Sequence, residues 1–64
     1  MSNKIQFIEW TVEGNRKITV IDSNGKVFSG RAYTFNENVL HVDTKEGLLE
    51  IKIDKIKEIF SIKE

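Results

Sequence analysis

His41 is the only histidine of the chain, in the run "ENVLHVD" with Glu37 before it and Asp43 after it. An imidazole titrates near neutral pH, so this is where acid–base chemistry would be sought first. Catalysis needs a partner nucleophile or acid positioned around the ring. Both nearby carboxylates fall on what reads as a solvent-facing strand edge, which leaves His41 a surface imidazole. "DSNG" at 22–25 resembles the start of a calcium loop. Its glycine comes too early, however, and Tyr33 holds the place of the closing bidentate glutamate. A metal centre needs several His, Cys or carboxylate ligands converging at compatible spacing, and none is expected. "GKVFSG" at 25–30 lacks the Gly-Lys-Ser/Thr ending and the following helix of a phosphate-binding loop. Glu46 and Glu50 read as solvated charges. No catalytic residue, metal ligand or cofactor site is therefore expected, and the chain reads as no enzyme.

Basic and aromatic side chains are the better candidates. Arg31 and Tyr33 fall on one strand face, with Arg16 and Lys17 at an earlier turn. Cations beside an aromatic ring are the usual ingredients for holding single-stranded nucleic acid. The competing account packs Tyr33 at a rim and gives Arg31 a surface ion pair. Trp10, the one tryptophan, reads as a core residue with its indole N–H at the rim. Exposed together with Phe7, it would instead be an interface anchor.

The elements that must hold these residues are short. Turn signals recur at "EGNR", "DSNG", "NEN" and "TKEG", separated by runs rich in Ile, Val, Phe and Thr. That spacing predicts an all-β barrel or sandwich. Asn24-Gly25 predicts a type I′ hairpin, which requires positive φ at both central residues. Ile18 and Val20 share one face, as do Leu49, Ile51 and Ile53, while Glu50, Lys52 and Asp54 point away. Residues 4–12 read as a strand paired through "EGNR" to residues 17–22. A short helix is the rival, because Ile5 and Ile8 also have helical spacing. In 26–35 parity breaks: Val27, Tyr33 and Phe35 share one face, Phe28 and Ala32 the other, so a bend at Gly30 is expected, where glycine permits the bulge or close approach a barrel corner requires. In "DKIKEIFSI" isoleucines recur every third residue, predicting one helical turn and then a final strand over 58–62.

Sixty-four residues make one domain, 1–64, with an extension over 1–16 and a barrel over 17–62. A domain of this size buries only about 60% of its unfolded surface. The absence of cysteine suits the reducing cytoplasm, and no signal peptide or membrane span is read. Ten basic and ten acidic residues cancel, whereas nucleic-acid binders normally carry a basic excess. Heavy use of Ile, Lys, Asn and Glu points to a low-GC bacterium or its phage.

Ile18 and Val20, the spaced glycines Gly25 and Gly30, and the hairpin from Phe35 to Val42 together resemble the Sm-like variety of SH3-type barrel over roughly residues 17–62. The resemblance implies a five- to six-stranded antiparallel all-β barrel, with one helical turn before the last strand. Sm-like proteins usually carry a helix where a strand is read here over 4–12. Their second hairpin holds a base with an Asp and an Asn; here those places fall on Glu37 and on Leu40 (or Val39). Their basic Arg-Gly turn is replaced by "DKIKEI", and the Lys-His motif of bacterial Hfq is absent. The resemblance thus implies the fold without the RNA pocket. It also implies self-association, because in Sm-like assemblies the last strand pairs with a neighbour's sheet. "IFSI" at 59–62 is uncharged, which makes Ile59 and Phe60 interface candidates beside Phe7 and Trp10. The leading reading is a protein-interaction or assembly module. Its alternative is a nucleic-acid binder working through Arg16, Lys17, Arg31 and Tyr33.

Overall fold

The first segment folds as a helix, α1 (Lys4–Glu13), in a computed structural model that describes residues 4–63. This corrects the strand expected over 4–12; residues 1–3 of the extension lie outside the described residues. The reason is which side chains find a core. Ile8 and Thr11, three apart, are fully buried, with Phe7 and Val12 half-buried beside them and Glu9 and Trp10 outside. That is helical spacing, and strand alternation would have sent Trp10 inward with Ile8 and Val12. Buried Thr11 is satisfied locally, since its hydroxyl donates to the Ile8 carbonyl at 2.7 Å.

"EGNR" therefore ends a helix rather than turning a hairpin. The Arg16 N–H donates to the Thr11 carbonyl at 2.8 Å and the Asn15 N–H to Val12 at 3.0 Å. Asn15 has a φ of 48°, completing a Schellman cap with asparagine in the left-handed position. Hairpin turns and helix caps draw on the same Gly and Asn chemistry, so the tetrapeptide alone did not separate them.

Five antiparallel strands follow: β1 (Lys17–Asp22), β2 (Val27–Asn36), β3 (Val39–Thr44), β4 (Gly47–Lys52) and β5 (Ile56–Ser61). They form one sheet in the order β4-β3-β2-β1-β5. Ile18, Val20, Ala32, Leu40, Val42, Ile51, Ile53 and Ile56 fill its concave side, closed over by Ile8. Leu49 joins this side as expected, and Glu50, Lys52 and Asp54 are exposed. A 3₁₀ turn over Ile53–Lys55 precedes β5, which begins at Ile56 rather than 58. One such turn brings residues three apart onto the same side, so Ile53 and Ile56 both reach the core. No helix among the described residues is long and apolar enough to cross a membrane.

The broken parity of β2 has a different solution from a bend in the glycine backbone. Residues 27–31 pair with β1 and residues 31–36 with β3. Between Ala32 and Thr34 the register against β3 slips, making Tyr33 an extra residue in a β-bulge. The slip puts Ala32 and Phe35 on the core side together and leaves Val27 and Tyr33 exposed. Gly30 matters for space. Its φ is outside the left-handed region, but a Cβ there would collide with the Asp43 carbonyl oxygen and lie 2.9 Å from Val42 Cγ1. The β1–β2 turn also departs from type I′: only Gly25 takes positive φ, at 85°. A three-residue loop is closed instead, with Gly25 N–H donating to the Asp22 carbonyl and the Asp22 carboxylate accepting from Asn24 and Lys26.

Two stability outcomes follow. Gly30→Val should cost about 3 kcal/mol, the upper end for overpacking, because backbone rather than a movable side chain blocks it. An unchanged thermal midpoint would contradict the close approach. Asn15→Gly keeps the cap but loses the side-chain bond to β2, for about 1 kcal/mol. Asn15→Ala adds a left-handed penalty of about 1–2 kcal/mol. Urea midpoints should therefore fall in the order wild type, Gly, Ala.

Candidate functional site

The helix cap delivers Arg16 onto the face of Trp10. The guanidinium carbon lies 3.8 Å from the indole centroid, a cation–π contact, and Phe7 stands 5.7 Å away tilted by 40°. Trp10 is 43% exposed, which corrects its reading as a core residue; Phe7 is half-buried. Beside them runs a groove lined by Trp10, Arg16, Lys17, Ser61, Ile62 and Lys63. Its far wall is fixed because the Ile62 N–H donates to the Lys17 carbonyl at 2.8 Å. Among the described lining residues three are cationic and none is acidic. Arg16 Nε is buried without a hydrogen-bond partner among the described residues.

Lys17 also borders a second groove, with Arg31 and Lys45 but also Asp43 and Glu46. Lys17 and Arg31 are register partners across β1 and β2, and Arg31 Nη1 donates to the Asn15 carbonyl at 3.0 Å. Tyr33 is 60% exposed and lines neither groove. The structure thus gathers Arg16, Lys17 and Trp10, and Lys17 with Arg31, while the bulge sets Tyr33 apart. Lys63 belongs to the first groove and was missed by sequence reasoning. Only the pairing of β5 with β1 brings it near Arg16, so no local signal marks it.

The outer strands carry the remaining candidates. Ile59 lies opposite Val20 and packs against the core, whereas Phe60, opposite Thr19, is 48% exposed. On the other edge Leu48 of β4 is 55% exposed and shares a groove of mixed polarity with Val27, Phe28 and Glu46. His41 is less exposed than expected, with 19% of its side chain open. Its carboxylate neighbour is Glu50 across the β3–β4 register, at 3.4 Å from Nε2, rather than Glu37 or Asp43. No group of three His, Asp or Glu side chains able to hold a metal occurs among the described residues.

Strand order, the curled β2 and the helix at the head of the sheet define an Sm-like small β-barrel. Several solved chains share it, two of them as follows. YaeO bound to magnesium, from Vibrio cholerae O395, superposes with a TM-score of 0.84 at 16% identity, covering 91% of this chain and 82% of its own. An Hfq protein from Anabaena sp. gives 0.78 at 11% identity, covering 95% and 100%. No protein-family model matches the chain, and no curated protein sequence does.

The two residues at the end of β5 should behave in opposite ways. Ile59→Lys places an unpaired charge against the core and should unfold the chain. Phe60→Lys should leave the circular dichroism spectrum and melting temperature close to wild type. Equal loss of structure in both would contradict the observed facing.

Proposed function

We propose that the chain is a non-enzymatic assembly module that joins further copies through the open edges of its sheet. The observation that carries this reading is the strand order: β4 and β5 each have a neighbour on one side only. An unpaired strand edge offers a row of backbone donors and acceptors to another chain. Each edge also presents a large apolar side chain, Leu48 on β4 and Phe60 on β5. Because the two edges differ, β4 of one copy meeting β5 of the next is a head-to-tail contact, which closes into a ring or runs on as a filament. Glu50 and Lys52 on β4, and Lys57 and Glu58 on β5, restrict that contact to a charge-matched register. A cysteine-free chain with this role suits the reducing cytoplasm.

A second reading, nucleic-acid binding, is favoured by the groove that joins Lys17, Arg31 and Lys45. Asp43 and Glu46 in the same groove and a net charge of zero work against it. Affinity for single strands is held to the non-specific range of about 10⁻⁴ to 10⁻⁶ M.

Light scattering across a micromolar concentration series tests assembly. The mass should exceed the 7.4 kDa of one chain and rise with concentration. Phe60→Lys should return it to one chain while remaining folded. A constant single-chain mass for the wild type would overturn the reading.

A further inference from the structure

The groove beside Trp10 is lined by Ser61 at the end of β5 and by Ile62 and Lys63 after it, together with the residues leaving the helix. Arg16, Lys17 and Lys63 converge there with no carboxylate among the described lining residues, although the whole chain is neutral. Arg16 is held in place by its stacking on the indole and by backbone bonds on both sides: its N–H donates to Thr11 and its carbonyl accepts from Ala32. A fixed guanidinium loses little freedom when it captures an anion. Its buried Nε has no acceptor among the described residues, so these leave its charge only partly compensated.

The shape of the site selects among anions. Arg16 already covers a face of Trp10 at 3.8 Å, and that face is unavailable for stacking a base. A phosphate chain leaving the groove past Lys17 would enter the neighbouring one, where Asp43 and Glu46 offset the attraction of Arg31 and Lys45. Exposed Glu9 and Glu13 flank Trp10 along the helix. A short ligand that keeps its few carboxylates on the Arg16, Lys17 and Lys63 side, and turns only an apolar side chain toward Trp10 and its flanking glutamates, avoids both sets of acidic residues. The exposed part of the indole and Ile62 supply the apolar contact.

We propose that this groove docks a short acidic segment of a partner protein, its carboxylates on Arg16, Lys17 and Lys63 and an apolar side chain against Trp10 and Ile62. Specificity then comes from charge at three points and from one hydrophobic anchor, the pairing found at protein interfaces rich in Trp and Arg. Charge-assisted bonds to a carboxylate supply the discrimination against a neutral peptide.

The single tryptophan makes the test direct. A capped peptide of alternating Asp and Glu around a central Leu is titrated into the full chain, read by tryptophan emission and by calorimetry. Its amide counterpart, with Asn and Gln, and an oligothymidylate of equal charge are run alongside. The acidic peptide should saturate and bind roughly tenfold tighter than the amide peptide, the difference one charge-assisted contact makes. Lys63→Glu, outside every helix and strand, should lose roughly tenfold of that affinity or more, and Arg16→Gln should do the same. Arg31→Gln, in the adjoining groove, should leave it nearly unchanged. An absence of saturation, equal binding of the amide peptide, indifference to Lys63→Glu, or an oligothymidylate that binds as tightly would each overturn the proposal.

Discussion

Ala32 is tied through both its backbone N–H and its carbonyl to the residues leaving the helix. Its N–H donates to the Arg16 carbonyl at 2.9 Å, and its carbonyl accepts from Asn15 Nδ2 at 2.7 Å. Nothing else in the fold joins so many decisions at one point. At residue 31 β2 passes from β1 to β3, and just after Ala32 the bulge begins. Ala32 is itself fully buried. These two bonds join the end of α1 to β2, and buried Ile8 and the Lys4 bond to the Ile56 carbonyl hold the rest of the helix over the open end of the sheet. The same tie fixes where Arg16 emerges, so the groove at Trp10 inherits its geometry from the core.

This coupling explains why the strands were legible in the sequence and the first element was not. Alternation in "KITVI" and "LLEIKID" reports burial against one surface, and a strand's own residues carry that signal completely. The helix depends on what it covers. Ile8 and Thr11 are buried because an open barrel end waits beneath them, a fact about residues far along the chain. Thr11 and Val12 favour strands by propensity, and tertiary packing overrode that preference. Gly30 shows the opposite case: of the bulge and the close approach expected there, the close approach of β3 is what the glycine accommodates, and the bulge falls at Tyr33.

The candidate site divides the same way. Arg16, Lys17 and Trp10 attract notice by residue type alone. Lys63 does not, since it reaches the others only through strands distant in sequence. Tyr33 was grouped with Arg31 by simple alternation, and one extra residue in β2 removed it. Likeness to YaeO and to Hfq at 16% and 11% identity carries the fold and leaves function to the side chains on these surfaces.

The placement of β1 between β2 and β5 also sets an order of events in time. Each hairpin from β1 to β4 closes over a few residues, while β5 must return across most of the chain to find Ile18, Val20 and Ile21. Closing so long a loop is the slow, entropically costly step in building a small β fold. Until residues 56–61 have left the ribosome, β1 is itself an edge, with half of its backbone groups waiting for a partner. A nascent chain is therefore most exposed to stray pairing during that interval, and rapid capture of β5 protects it as much as any contact in the finished fold.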